Sequence, residues 1–411
     1  HLSGNTASEA NFHRIRQWIQ KCESGHNRCS NQSNTVLSTR VFDLRESNDS
    51  TRLVETRGLS GPYICLSHCW GGGGGGLLLL FFFLFFFFFN NIPWVSLPLL
   101  FRDTIEICRT LGVQYIWIDK LCIIQHDKND WASEGSRMAQ IFEGSFLTIG
   151  ATISKDDKKS LFFNDERNAP SLKSYTGRIE DGTLYTVYSR IPFNYHPSDG
   201  TRPKTDHEEY PLMTGAWIYQ ERLLAPRVLY FGEELSWECR EASACECSGV
   251  RQGMKYDHSL SLMPDCSTEK CHLQWQRMVE EFTWLQLSYE KDRLPAFSGL
   301  AQQYRHRLKS EYLAGIWREN LGADLLWFAY PECGSGAQRY YTKKPRKWRA
   351  PSWSWASIEG PILFSKSYHM AKAEAGAESV TCWVDTISAE CIPSSLNSMG
   401  SVAKGRLVIK G

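Results

Sequence analysis

The 411-residue chain has no surplus of either charge: 46 Lys and Arg stand against 45 Asp and Glu, a net charge of +1. Without a basic field it cannot bind nucleic acid or an anionic membrane generally, which leaves a small molecule or another protein as partner. It also lacks the roughly 20-residue apolar run that a membrane-spanning helix needs. The one apolar tract, Leu77 to Phe89, has thirteen residues, all Leu or Phe, and follows six glycines, Gly71 to Gly76. That glycine run is no Walker pattern, so a phosphate-cradling loop is missing as well. The whole tract would aggregate if exposed. It reads as a placeholder for an undetermined loop, and no side-chain argument is drawn from it. No signal peptide is visible, because His1 to Cys22 is polar and helical in pattern. Cysteine is plentiful: 14 residues, mostly inside apolar runs and not at framework spacing. In so long a chain this predicts reduced, buried thiols and a cytoplasmic protein.

Ile15, Trp18, Ile19 and Cys22 form one face of a helix over Phe12 to Cys22, ended by Gly25. Strands are expected at Thr39 to Leu44, Leu53 to Thr56 and Tyr63 to Ser67. Pro98 opens a helix with the stripe Phe101, Thr104, Ile105, Cys108 and Leu111. A strand at Val113 to Ile118, a loop to Asp130, a helix from Trp131 to about Phe142 and a strand at Phe146 to Ala151 complete a parallel-sheet pattern. Further strands are expected at Thr183 to Tyr188, Arg227 to Phe231 and Leu235 to Cys239. Helices are expected at Leu273 to Tyr289, Leu294 to Arg307 and Leu313 to Phe328. The tail from Trp348 reads as β, with Trp353 and Trp355 on one strand face, and it stops inside a strand at Arg406 to Lys410, as though the natural chain were longer. The expected organisation is an N-terminal helical and strand cap (1–59), an α/β core (60–240) and a mixed α+β C-terminal region packed on it (241–411).

Ligands of parallel sheets bind beyond the strand carboxyl ends. The groups there are Ser67, His68, Cys69, Trp70, Asp119, Cys122 and Gln125. Asp119 either accepts hydrogen bonds from ribose hydroxyls or holds Lys120 or Ser67 in place; Gln125 suits an amide or ring nitrogen, and Cys122 suits apolar filler. His68 and Cys69 point to opposite faces, so His68 is at most a lone acid/base. Trp70 offers a stacking surface, or a core ring. Were Asp130 the helix cap, Trp131, Glu134, Met138 and Ile141 would share a stripe facing the sheet. A carboxylate there must be paired or titrate high, with Arg102, Arg109 or Arg137 as candidate partners. Trp217, Gln220 and Glu221 precede the strand at Val228, and Glu221 either completes the site or pairs with Arg222 or Arg227. Cys22, His26 and Cys29 supply three soft ligands where tetrahedral zinc needs four. With Cys239, Cys245 and Cys247 as the nearest comparable source of a fourth, and helix packing sufficient for Cys22, the sequence argues against zinc.

Several blocks, YICLSHCWG (Tyr63 to Gly71), Leu97 to Ala151, and AWIYQERLLAPRVLYFGEELSWEC (Ala216 to Cys239), resemble the three signature blocks of fungal heterokaryon-incompatibility (HET) domains. The flanking Trp18-x3-Cys22-x3-His26-x2-Cys29, Lys291 to Ala296 and Ala350 to Ser357 fit the same family. Lys120, His126 and Gly215 depart from its pattern, standing where a small residue, an acid and an Arg are usual. The resemblance implies a fungal protein that triggers cell death when unlike hyphae fuse, with a TIR-like, flavodoxin-like fold. Trp131-x-x-Glu134 is similar to the Trp-x-x-Glu of TIR-type NAD hydrolases. It implies Glu134 as the carboxylate that cleaves the nicotinamide–ribose bond, and NAD as substrate rather than cofactor; Asp119 and His68, from their place at the strand ends, are the other catalytic candidates. Two alternatives stay open: an acid/base enzyme of specialised metabolism acting on a polyketide- or terpene-like ligand, and a non-catalytic module that self-associates or binds a protein partner.

Overall fold

A computed structural model describes residues 4–29, 34–45, 50–71, 92–125, 127–164, 173–189, 210–246, 249–251, 267–330, 342–365, 385–395 and 397–410. The Gly/Leu/Phe tract beyond Gly71, His126 and Cys247 lie outside them.

Helix α1 (Glu9–Gly25) starts at Ser8, whose hydroxyl accepts from the Asn11 amide, and buries the expected Ile15, Trp18, Ile19 and Cys22. Then come β1 (Arg40–Asp43), β2 (Ser50–Glu55), β3 (Tyr63–Ser67), β4 (Ile92–Pro93), α2 (Leu99–Thr110), β5 (Tyr115–Ile118), a one-turn α3 (Asp119–Cys122), α4 (Lys128–Glu143) and β6 (Leu147–Ala151). A hairpin of β7 (Lys173–Arg178) and β8 (Leu184–Ser189) precedes α5 (Ala216–Leu224), β9 (Arg227–Phe231), β10 (Leu235–Cys239), β11 (Ser243–Cys245) and β12 (Gly249–Arg251). The C-terminal part holds α6 (Thr268–Thr283), α7 (Ser298–Leu308), the hairpin β13 (Tyr312–Leu313) and β14 (Ile316–Trp317), α8 (Leu321–Asp324), β15 (Trp327–Ala329), β16 (Ile362–Phe364), β17 (Asp385–Pro393) and β18 (Val402–Lys410).

Ten strands form one sheet in the order β12-β11-β10-β9-β6-β3-β5-β1-β2-β4. β5, β3, β6 and β9 are parallel neighbours; antiparallel strands extend the sheet on both sides. The sheet is therefore mixed and wider than the parallel pattern predicted. All residues of β3, β5, β6 and β9 are buried, as continuous apolar strands covered on both faces should be. The chain leaves β3 for β5 on one side and returns to β6 on the other. A crevice opens at such a reversal, above the carboxyl end of β3.

One core unites α1, α2, α4 and the sheet, from Ile15 to Ala244; a second gathers α5, α6, α7 and the C-terminal strands. Gly299 at the start of α7 lets three helices meet, since a Cβ there would lie 2.4 Å from the Ala139 Cβ on α4 and 2.8 Å from Gln220 Oε1 on α5.

Three expectations fail locally. Asp127, not Asp130, caps α4, accepting from the amides of Asn129 and Asp130; Asp130 instead binds Arg40 and the Ile124 amide. The helix expected at Leu313 to Phe328 is broken up: Ala314 and Gly315 take positive φ (46° and 104°) and turn the chain into the β13–β14 hairpin, and only 318–324 are helical before β15. Trp353 and Trp355 do not share a strand: Ser354 caps a 3-10 turn at Trp355–Ser357.

The Gly315 carbonyl accepts from both Trp275 Nε1 (3.0 Å) and Trp355 Nε1 (2.8 Å). A Cβ at Gly315 would lie 2.4 Å from Trp355 Nε1. Gly315→Ala is therefore expected to cost about 2–4 kcal/mol, from backbone strain plus overpacking. Urea denaturation followed by tryptophan fluorescence checks this; an unchanged midpoint would contradict it.

Candidate functional site

β3 and β5 end side by side and deliver Ser67, His68, Trp70 and Asp119 to the crevice. The Ser67 hydroxyl donates to Glu221 Oε2 at 2.5 Å, which brings α5 against the carboxyl end of β3. Burial pushes the Glu221 carboxyl up to about 8, assisted by the nearby Asp119 charge and opposed by the Ser67 hydrogen bond. Near pH 7 Glu221 is mostly uncharged. Neither expected arginine pairs with it: Arg222 is bidentate to Glu238 at 2.9 Å, and Arg227 turns to the far end of the sheet.

Asp119 sits 3.7 Å from His68 Nδ1, accepts from Trp70 Nε1 at 2.8 Å and from the Lys120 amide at 2.6 Å. His68 is buried, packs edge-on to Phe101, and has no hydrogen bond on either ring nitrogen. Burial lowers its pKa below the usual value, Asp119 pulling the other way. Burial also pushes the Cys69 thiol up to about 12, so it offers no thiolate.

Lys120 is buried and meets Asp157 Oδ2 at 2.6 Å. Trp70 and Lys120 line a cavity of about 400 Å³ together with Leu97, Arg102, Asp157 and Lys158. It joins an aromatic face, three cations and two acids, Asp156 being the second.

Other candidates are placed elsewhere. Glu134 is 2% exposed, and donors occupy both its oxygens: Ser38 Oγ on Oε2 at 3.0 Å, and Thr39 Oγ1 on Oε1 at 2.5 Å with Arg137 3.7 Å away. Of the three arginines the sequence offered, Arg137 is the one that reaches it. None of these partners comes from the crevice. Trp131 and Trp217 pack edge to face at 6.2 Å, with Lys291 Nζ over the Trp131 ring. Gln220 accepts from the Gly299 amide and Gln125 donates to backbone carbonyls, the closest being Ile123 at 3.0 Å; both spend their amides on the fold. Cys122 is buried, and its carbonyl accepts from Arg40 Nε. Cys22, His26 and Cys29 converge with Cys239, one of the three cysteines that the sequence offered as a source of a fourth ligand.

Sequence reasoning missed the Lys120–Asp157 and Arg40–Asp130 pairs. Each joins residues far apart in the chain, and only the isolated positive charge within an apolar block signals that a partner must exist. Gly215 puts no charge into the site; it stands at the N-cap position of α5, with no side-chain cap.

Residues 63–221 match the family model described as heterokaryon incompatibility protein (HET). Comparison with curated proteins and with solved structures gives no match.

Glu221 supplies a pH prediction. Its folded pKa, about 8, is above the ordinary 4.5, so the folded state holds a proton that the unfolded state releases. Its contribution is fully present below about pH 4.5 and is lost as pH rises through 8. Glu221→Gln keeps an acceptor for Ser67 but no titration. Between pH 6 and 9 the wild type should therefore lose melting temperature relative to the variant, and parallel melting curves would refute the assignment.

Proposed function

With residues 63–221 forming a heterokaryon-incompatibility (HET) domain, we propose that this protein is a fungal incompatibility and cell-death effector that acts on NAD or a related nucleotide held above β3 and β5. The observation that carries the reading is Trp70, which lines the cavity while its indole N–H binds the Asp119 carboxylate. The indole face would stack a nicotinamide or adenine ring, and Arg102 and Lys158 would meet phosphates. The order of the four parallel strands, in which the first in sequence lies between the second and third, supports a flavodoxin-like or TIR-like core.

In this reading the electron pair of the nicotinamide–ribose bond leaves with nicotinamide, neutralising its ring. Asp119 stabilises the oxocarbenium character on ribose, and water adds to the anomeric carbon, releasing a proton to solvent. Asp119 replaces Glu134 in the role because the Glu134 side chain is buried among Ser38, Thr39 and Arg137, whereas Asp119 lies beside Trp70 and is partly exposed; Glu134 then anchors the segment that precedes β1. The cations beside Trp70 fit a phosphate-bearing ligand better than a polyketide or terpene. A second reading, nucleotide binding without cleavage, gains from the same occupancy of Glu134 and from the uncharged Glu221.

Nicotinamide release from NAD by the purified full chain tests both. Cleavage predicts turnover that falls on the order of 100-fold in Asp119→Asn, and a higher KM in Trp70→Ala. Folded protein that binds NAD through Trp70 without releasing nicotinamide would leave the binding reading alone; no binding at all would remove both.

A further inference from the structure

The two ends of the sheet carry different chemistry. Cys239 closes β10 and pairs in register with Arg227, the first residue of the parallel strand β9. That places Cys239 at the amino edge of the parallel strands, away from the crevice. Here α1 ends: Cys22 lies in its last turns, and the His26 amide donates to the Cys22 carbonyl at 3.1 Å as the helix cap. Cys29 follows three residues later. Sγ of Cys22, Cys29 and Cys239 and a ring nitrogen of His26 all lie within 4.8 Å of one another, with Cys239 Sγ 3.2 Å from His26 Nδ1. Tetrahedral zinc with sulfur at about 2.3 Å sets its donors roughly 3.8 Å apart. The four side chains thus surround a space of the right size, and all three cysteines are free thiols. Of the other two cysteines named as a source of a fourth ligand, Cys245 is disulfide-bonded.

A second observation is the surroundings. Arg227 has no exposed surface. Its Nε donates to Cys22 Sγ at 3.3 Å, Nη2 to the Cys29 carbonyl at 2.9 Å and Nη1 to the Phe146 carbonyl at 3.1 Å. None of these acceptors is a carboxylate, yet a buried guanidinium needs a compensating negative charge. Three thiolates and a neutral imidazole on a divalent ion carry a net charge of −1, which balances Arg227. The Ala242 amide points at Cys239 Sγ at 3.3 Å, an outer-shell donor of the kind that orients metal thiolates.

We propose that Cys22, His26, Cys29 and Cys239 bind one structural zinc ion that fastens α1 to the β9–β10 hairpin. Four protein ligands leave no open position, so the ion does no catalysis. The site stands independently of the nucleotide reading.

The test is metal content of the full chain, purified under reducing conditions without chelator or metal-affinity steps. One zinc per chain is expected, lost in Cys239→Ala and kept in His26→Cys, which preserves four ligands. Cobalt(II) exchanged into the wild type should show tetrahedral d–d bands with thiolate charge transfer, a signature that does not depend on any variant folding. Folded protein without zinc that takes up none on addition would overturn the proposal. So would zinc retained in Cys239→Ala, or a cobalt spectrum without thiolate bands.

Discussion

Charge buried inside a wide sheet is the constraint on which this molecule turns. Arg40, Lys120, Glu134, Glu221, Arg222 and Arg227 are all nearly inaccessible to water, and each must find a partner or lose its charge. Arg40 finds Asp130, Lys120 finds Asp157 and Arg222 finds Glu238. Each pair spans two elements, so breaking one would leave a lone buried charge, typically costing about 3–5 kcal/mol. Two of these six have no ion-pair partner among the described residues. Glu221 has a hydroxyl and no cation, and takes a proton instead. Arg227 has sulfur and carbonyl acceptors and no carboxylate.

These exceptions fall at opposite ends of the parallel strands. The carboxyl end gathers polar side chains because β3 and β5 finish there while the chain reverses direction around β3. The amino end gathers thiols because α1 ends over the β9–β10 hairpin. The C-terminal half touches the core chiefly through α5, which contributes both to the site, through Glu221, and to the second core, through Tyr219 and Leu224. Trp275 and Trp355 meet on one carbonyl, that of Gly315, so an aromatic core fixes the helices that hold α5 in place.

Periodicity made much of this legible. The burial of Ile15, Trp18, Ile19 and Cys22, the strands Tyr63–Ser67, Arg227–Phe231 and Leu235–Cys239, and the helix after Pro98 follow from apolar spacing and from breakers, which are local properties. The HET signature blocks carried the match to the family model over residues 63–221. What periodicity does not encode is pairing at a distance. The antiparallel wings of the sheet, the Ser67–Glu221 contact and the arrival of Cys239 beside Cys22 each join segments about 150 to 220 residues apart or add edges whose strands look like any others. The turn at Ala314–Gly315 escaped because a single glycine inside an apolar run is compatible with a helix until a tryptophan needs its carbonyl.

The fate of Glu134 shows why a motif and a site differ. Its place on the buried stripe of α4 was readable, and so was the need for partners. A carboxylate that is to stabilise a developing cation must present an oxygen to the ligand, and one that is buried among its own hydrogen-bond donors presents little. Both oxygens of Glu134 are directed at Ser38, Thr39 and Arg137, which ties the segment before β1 to α4. Asp119 is held differently: the Trp70 indole and the Lys120 amide fix its orientation, yet its side chain remains partly open to solvent. Rigid positioning with an accessible face is what electrostatic stabilisation of a transition state requires, and at the carboxyl end of this sheet Asp119 meets both conditions where Glu134 meets only the first.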